Sequence, residues 1–178
     1  NTTVVYRDYN GSLLGFGEGD HGRLGNNSNS DRYSPIMIRD GNVTSFASGN
    51  SYSAMVLEDG SLWTFGRNQY GQLGDGTTTD RNSSVEVEST GVSIIETGNS
   101  SSYYQMSDGT MRSTGRNNYG QLGDGSATDR NTSVIISNSK ALACTGGNGF
   151  AAIIGSDNSL QAFGRNNYGQ LGDGTNTD

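Results

Sequence analysis

The feature that most constrains the fold is an internal repeat with a period of 49 residues. The stretch Gly66–Asp80 returns nearly unchanged at residues 115–129 and 164–178, and in degenerate form at residues 17–31. Because no insertion or deletion interrupts this frame, the chain must form an array of like structural units. We therefore interpret residues 1–178 as one array whose units are residues 1–49, 50–98, 99–147 and the incomplete 148–178.

Each unit has the pattern of short β-strands joined by turns. In the second unit, two apolar runs flank Asp59-Gly60, which is a strong hairpin signal, and further runs follow at 85–87 and 92–95. Several runs are apolar at consecutive positions, as expected for strands that are buried on both faces. The sequence therefore predicts an all-β fold of four-stranded antiparallel β-propeller blades. An open β-solenoid is the alternative, although 49 residues is long for one rung.

Composition excludes several classes of partner. With 28 glycines among 178 residues and only 30% hydrophobic residues, the chain resembles turn-rich β proteins. A net charge of −7 opposes binding to nucleic acid or to anionic membranes. No apolar stretch approaches the roughly 20 residues of a membrane helix, so we expect no membrane insertion. Because the chain starts without methionine and stops within a unit, we expect it to be a segment of a longer polypeptide.

The repeated loop carries a family resemblance. The sequence from Phe65 to Gly74, preceded by Asp59-Gly60, resembles the repeat of the regulator of chromosome condensation family, and it recurs in frame along the whole chain. This resemblance implies a seven-bladed propeller of about twice the present length, of which the chain would hold about three and a half blades. It also implies the activities known in that family, which are protein scaffolding, nucleotide exchange on the small GTPase Ran, chromatin binding and ultraviolet sensing.

The sequence argues against three of those activities. Exchange activity in the family depends on blade-specific loops, whereas the units here have equal length. Chromatin binding is opposed by the net charge, and the single tryptophan, Trp63, cannot form a light-sensing cluster. We therefore expect a protein-interaction or structural scaffold that binds protein partners or further copies of the chain and that could self-assemble. The alternative is an intracellular regulatory propeller, such as a small-GTPase exchange factor, with its decisive residues outside this segment.

Neither catalysis nor a cofactor is predicted. The units are close copies, so no single unit supplies a constellation of acid, base and nucleophile. His21 is the only histidine, and Cys144, the only cysteine, excludes an intrachain disulfide and a zinc quartet. The amides of Gly71, Gly74 and Gly76 could face an anion, but the loop lacks the lysine of a phosphate loop. We interpret these glycines as turn formers.

The loop carboxylates have a composition that resembles a calcium site. Asp75 and Asp80 flank three threonines, but the first unit has Asn26 in place of Asp75, and the alternating acidic spacing of a calcium loop is missing. We therefore predict no metal site. We instead interpret the loop as a turn in which Asp80 pairs with Arg81 or with a neighbouring blade.

The repeated arginines and tyrosines are the candidate partner site. They are predicted to form rows along one rim, and both residue types are enriched at interface hot spots. The alternative is that they pack between blades, with the arginines paired to loop aspartates. The six residues of this predicted rim are Arg67, Tyr70, Arg116, Tyr119, Arg165 and Tyr168.

The chain also contains seven Asn-x-Ser/Thr sequons. Together with a single lysine, Lys140, and abundant short polar residues, they favour an extracellular or cell-surface glycoprotein, with a cytoplasmic protein as the alternative. Asn82 and Asn131 share one phase of the repeat, so we expect them to be modified together or not at all. The candidate N-glycosylation sites are Asn1, Asn10, Asn26, Asn42, Asn82, Asn99 and Asn131.

Overall fold

The fold is a row of four antiparallel β-sheets, seen in a computed structural model that describes residues 3–137 and 141–178. We number the sheets as blades 1 to 4. Blade 1 contains β1 (Thr3–Arg7), β2 (Leu13–Gly17) and β3 (Arg32–Arg39), with a short 3₁₀ turn at Asp20–Gly22. Blade 2 contains β4 (Val43–Ser48), β5 (Tyr52–Leu57), β6 (Leu62–Gly66) and β7 (Arg81–Glu88).

The second half of the chain repeats this arrangement. Blade 3 contains β8 (Val92–Thr97), β9 (Ser101–Met106), β10 (Met111–Gly115) and β11 (Arg130–Ser137). Blade 4 contains β12 (Ala141–Gly146), β13 (Phe150–Gly155) and β14 (Leu160–Gly164). Blades 2 and 3 have four strands in sequence order, and the described parts of blades 1 and 4 have three each. The predicted four-stranded antiparallel propeller blades are confirmed, and the total of seven blades stays a prediction.

The hairpins form where the sequence predicts them. Between β5 and β6, Gly60 adopts a left-handed φ of 79°, and the carboxylate of Asp59 accepts the backbone N–H of Ser61 at 2.9 Å. An L side chain at Gly60 would be strained in that conformation, which explains the Asp-Gly signal. The hairpin between β9 and β10 uses Gly109 in the same way.

The sheets are out of phase with the sequence units. Each complete blade takes its first strand from the end of one 49-residue unit and its other three strands from the next, so that blade 2 spans residues 43–88. The junction is short because Gly49, between β4 and β5, donates its N–H to the carbonyl of Tyr52 at 2.9 Å. Consecutive units are therefore linked through shared sheets as well as through the faces that pack between blades.

The core lies between the blades. Leu62 of blade 2 packs with Val92 and Ile95 of blade 3, and Leu13 of blade 1 packs with Val43 and Phe65 of blade 2. A third apolar cluster joins blades 3 and 4. Burial of apolar area in these faces is the main stabilising contribution for strands covered on both sides. Among the described residues, no helix is long and apolar enough to cross a membrane.

The outer faces of blades 1 and 4 are exposed, unlike the faces that pack between blades. Ile154 and Leu160 on blade 4 are 41% and 69% exposed, although Val56 and Leu62, at the same phase of the repeat, are almost fully buried. On the opposite side of the row, Val4 and Tyr6 of blade 1 are also exposed. The described part of the chain thus leaves one apolar face open at each end.

Candidate functional site

A buried asparagine organises each regular glycine-rich loop. Asn68 follows β6, has no exposed surface, and donates its backbone N–H to the Asp80 carboxylate at 2.7 Å. Its side-chain amide donates to Asp75 at 3.0 Å and to the Thr79 carbonyl at 3.1 Å, and its amide oxygen accepts the N–H of Leu73 at 3.0 Å. These bonds fold the loop around one side chain.

The same frame is built in blades 3 and 4. Asn117 and Asn166 are also fully buried, and their backbone N–H groups donate to Asp129 at 2.7 Å and to Asp178 at 2.6 Å. In the first loop, Gly19 replaces the asparagine, and its N–H still donates to Asp31 at 3.0 Å. The repeated closing aspartates therefore share one structural role.

The remaining loop carboxylate is engaged by its own loop. Asp75 accepts hydrogen bonds from the N–H and hydroxyl of Thr77 and pairs with Arg81 at 2.6 Å. Burial alone raises the pKa of Asp75, but hydrogen bonds from Thr77 and Arg81 outweigh burial and leave the pKa below its ordinary value. The expected Asp80–Arg81 pair is wrong, because the Arg81 side chain folds back over the loop to Asp75.

Asp80 instead contacts a neighbouring blade, as the second half of that expectation stated. Its carboxylate lies 2.7 Å from Nδ1 of His21 in the first loop. Within residues 3–137 and 141–178, no group of three His, Cys, Asp or Glu side chains is placed to hold a metal ion. That no metal is needed stays a prediction.

The loop glycines combine turn geometry with close packing. Gly71 has a φ of 78°, and a Cβ there would lie 2.4 Å from the Cα of Asn131 in the next blade. Gly22 approaches Asn82 equally closely in the preceding pair of blades. The amides of Gly71, Gly74 and Gly76 all donate to backbone carbonyls. The glycines therefore act as turn formers whose amides are already used, and they also let adjacent blades approach.

The rim arginines and tyrosines form a ladder that crosses the blade boundaries. The guanidinium of Arg116 stands over the Tyr70 ring of the preceding blade, 4.8 Å from its centroid. The guanidinium of Arg165 lies 5.3 Å from the centroid of Tyr119 and 5.6 Å from that of Tyr168 in its own loop. The structure thus brings the predicted rows together on one rim, in alternating order.

The structure realises part of one of the two sequence-based interpretations of the rim. The rim residues do pack between blades, but the expectation that their arginines pair with loop aspartates is wrong, because Arg81 and Arg130 take those aspartates. Arg67 instead donates to Oε1 of Gln69. Tyr168 is 84% exposed, and the other rim residues keep part of their surface in solvent. Whether a partner binds there stays a prediction.

The ladder ends at blade 1. Glu18 and His21 stand there at the positions of Arg67 and Tyr70. Arg23 donates to the Glu18 carboxylate at 2.7 Å. An ion pair therefore holds the first loop, whereas the buried side-chain amide of an asparagine holds each regular loop. The rim is therefore cationic and aromatic along blades 2 to 4 and acidic at blade 1.

Gln72 supports the rim and was missed in the sequence analysis. It is fully buried, and its amide oxygen accepts the N–H of Tyr70 at 3.0 Å. Gln121 binds the N–H of Tyr119 in the same way at 2.9 Å. The signal was a glutamine two residues after each rim tyrosine, which fixes the backbone that carries the ring.

The sequons differ in accessibility. Asn131 is exposed, but its side-chain nitrogen donates to the carbonyl of Gly76 at 2.9 Å, and that of Asn99 donates to Asn148 at 3.1 Å. Asn1 lies outside the described residues. The exposed sequon asparagines are Asn10, Asn42 and Asn131, and the half-buried ones are Asn26, Asn82 and Asn99.

Comparison with known families matches the loops and strands described above. The model of the regulator of chromosome condensation (RCC1) repeat matches residues 10–56 and 59–102, and a second model of the same description matches residues 43–72. No curated protein matches the sequence.

Solved structures share the fold at low sequence identity. Human WBSCR16 is 21% identical with a TM-score of 0.88, over 100% of this chain and 49% of that one. Yeast RCC1 (Prp20) bound to Kap60 is 17% identical with a TM-score of 0.85, over 100% and 45%. Prp20p from Saccharomyces cerevisiae, described with its binding properties to Gsp1p and histones, is 19% identical with a TM-score of 0.81, over 100% and 47%. The chain thus spans about half the length of these proteins.

Proposed function

The chain belongs to the regulator of chromosome condensation (RCC1) repeat family, and from that premise we propose that it is a non-enzymatic scaffold that binds protein partners. The observation that carries this proposal is the ladder of Arg116 and Arg165 stacked on the tyrosines of adjacent blades. Arginine and tyrosine are among the side chains that are enriched at interface hot spots.

The rim is held in place before any partner arrives. Stacking restrains the arginine side chains, and the buried Asn68, Asn117 and Asn166 fix the loops that carry the tyrosines. A side chain that is already ordered loses little conformational entropy on binding, which favours affinity. A rigid row of this kind suits a scaffold.

The titratable groups also favour a non-enzymatic role. Burial raises the pKa of Cys144 to about 12, so its thiol is a poor nucleophile. Burial likewise raises the pKa of Tyr52 and of Tyr103 above the ordinary tyrosine range, and both hydroxyls bond to backbone carbonyls. His21 lies at the surface against Asp80, in a pair that offers no nucleophile to activate.

Self-assembly is part of the proposal. What supports it is the exposure of Ile154 and Leu160 on blade 4 and of Val4 and Tyr6 on blade 1, at positions that face a neighbouring blade elsewhere. By length, two copies hold about seven units. However, each described chain forms four sheets, so two copies would bring eight sheets together. An open head-to-tail contact between copies therefore fits better than a two-chain ring of seven blades.

We place the scaffold outside the cell, on the strength of its sequons. Glycopeptide mapping of the native protein should find sugar at the exposed Asn10 and Asn42. We also expect Asn82 and Asn131 to agree in occupancy, because the carbonyls of both accept an N–H from the preceding loop, at 2.6 and 2.8 Å. Bare asparagines throughout would contradict the extracellular assignment.

The alternative function is an intracellular regulatory propeller such as a small-GTPase exchange factor. The likeness to Prp20, whose structures are described with Kap60, Gsp1p and histones, favours this alternative. At 17–19% identity, however, that likeness is one of fold.

Site-specific photo-crosslinking tests the scaffold proposal. A photoreactive residue at Tyr119 should capture a discrete protein in intact cells. The matched control is Tyr9, which is fully exposed in the turn between β1 and β2, at the opposite end of the strands from the loops. Equal capture at Tyr9 and Tyr119, or no capture at Tyr119, would overturn the proposal.

A further inference from the structure

We propose that the partner segment received by the rim is an acidic peptide, whose carboxylates bind the guanidinium groups of Arg116 and Arg165. This inference rests on the proposed scaffold function and names the chemistry of its partner. It follows from the charge balance of the rim, from the geometry of the stacked arginines and from the change of sign at blade 1.

In the described part of the chain, the rim arginines form no ion pair with a carboxylate. The chain carries 18 acidic against 11 basic residues, so acidic groups are in excess. Ion pairs between arginine and carboxylate in the described residues involve Arg23, Arg81, Arg112 and Arg130, and none involves an arginine of the rim. An acidic protein that leaves guanidinium groups without a carboxylate partner offers them to an anionic group from outside.

Stacking on a tyrosine ring leaves the in-plane edge of each guanidinium group uncovered by that ring. A tyrosine ring covers one face of the Arg116 guanidinium, and Arg165 lies close to two rings. The N–H donors of a guanidinium lie in its plane, and a carboxylate binds them in that plane through two parallel hydrogen bonds. The rings therefore orient the donors without consuming them. Nε of Arg165 is buried without a partner among the described residues.

The charges along the rim restrict an acidic ligand to one part of it. Glu18 and Asp20 lie in the first loop, where an acidic peptide meets like charge, and Arg67 is already bound to Gln69. The favourable footprint is thus confined to blades 2 to 4, with Arg116 and Arg165 as its two anchors. Nucleic acid is a poorer fit, because phosphate binding in proteins uses many clustered cations and the chain has a net charge of −7.

Binding of short peptides to the full chain tests this inference. The probe is a fluorescent peptide of alternating Glu and Ser, the neutral control has Gln in place of Glu, and a single-stranded oligonucleotide of equal charge represents nucleic acid. The double variant Arg116→Gln/Arg165→Gln should bind the acidic peptide about tenfold more weakly or worse, because two charge-assisted contacts are lost.

The matched control variant is Arg39→Gln. It removes one positive charge, against two in the double variant, and it does so at the end of blade 1 opposite the loops, where Arg39 pairs in register with Leu13 and stacks on Trp63. We expect Arg39→Gln to bind like the wild type. A thermal unfolding curve for each variant identifies any loss that comes from misfolding, and Arg116→Lys/Arg165→Lys should keep part of the affinity if charge is what matters.

Three results would overturn the inference. They are equal binding of the neutral and acidic peptides, equal loss in Arg39→Gln and the rim variant, and binding of the oligonucleotide but not of the peptide. If Tyr119 crosslinks to a protein while the acidic peptide fails to bind, the scaffold function stands and the acidic chemistry is wrong. If the peptide binds and no crosslink forms, the acidic chemistry stands and the cellular scaffold role is wrong.

Discussion

Blades 2 and 4 have equivalent residues at the same positions of the repeat, but in the described part of the chain only blade 2 is followed by another blade. Leu62 is 1% exposed, and Leu160, at the equivalent position, is 69% exposed, whereas Asn68 and Asn166 are both fully buried. The partners of Leu62 come from the next blade, while the hydrogen-bond partners of each asparagine lie within its own loop. The loop frame is therefore a local property of the unit, and the burial of the sheet face is supplied by a neighbour.

The largest effect is expected from the two equivalent leucines. Leu62→Ala removes a side chain packed against Val92 and Ile95, and should lower the free energy of unfolding by about 2–5 kcal/mol. In the dissociated chain, Leu160→Ala removes an exposed side chain and should change this free energy by less than about 0.5 kcal/mol. Urea denaturation of the two variants measures the difference. Equal losses would show that the face of blade 4 is covered in solution.

The loop frame offers a second matched pair, in adjacent asparagines. Asn117→Ala leaves the buried N–H of Leu122 without its acceptor and removes one of the hydrogen bonds to the Asp124 carboxylate, and should cost about 2–3 kcal/mol of unfolding free energy. The neighbouring Asn118 is exposed, so Asn118→Ala should cost little. Denaturation midpoints compare the two, and similar midpoints would mean that the asparagine does not organise the loop.

Two glycines separate backbone strain from close packing between blades. Gly71 and Gly76 have nearly the same left-handed φ, 78° and 79°, but a Cβ at Gly71 would lie 2.4 Å from Asn131, and one at Gly76 would have 3.9 Å to its nearest neighbour. Gly76→Ala should therefore cost only the strain of about 1 kcal/mol, and Gly71→Ala should cost more. If calorimetry finds the same melting temperature for both variants, the approach between blades 2 and 3 is looser than the structure shows.

A smaller effect is expected in acid. The hydrogen bonds to Asp75 and Asp124 overcome burial and hold the pKa of each carboxyl below 3.8, its ordinary value. A carboxyl whose pKa is lower in the folded state than in the unfolded state contributes stability at pH values above its unfolded pKa. That stability is lost as the pH falls through the folded pKa. Asp75→Asn/Asp124→Asn, which copies Asn26 of the first loop, should flatten the acid limb of a plot of stability against pH. An unchanged limb would mean that these bonds do not persist in solution.

Much of the blade follows from the sequence because its determinants are close together along the chain. The 49-residue period, the apolar runs and Asp59-Gly60 predict the strands and hairpins, each of which depends on residues a few positions apart. The rim was also predicted, because Arg116 and Tyr119 recur at fixed spacing beside a glycine-rich turn. The stacking of each arginine on the preceding blade was not predicted, since periodicity does not specify side-chain direction.

Other features depend on contacts that no local pattern encodes. Each complete sheet begins one strand before its sequence unit, because the last strand of one unit pairs with the first strand of the next, as β4 does with β5. The sequence alone does not specify that pairing. The contact of His21 with Asp80 joins residues 59 positions apart, in loops of two different blades. Gln72 was missed because its role depends on a hydrogen bond to the backbone N–H of Tyr70, which a side-chain pattern does not reveal.

Sedimentation velocity at micromolar concentration tests most directly the claim that the outer faces of blades 1 and 4 are faces made for a neighbouring blade. We expect concentration-dependent association of the 178-residue chain. Ile154→Asp/Leu160→Asp should abolish that association while circular dichroism still shows a β-sheet spectrum. A wild-type chain that stays a folded monomer over the whole concentration range would contradict the claim.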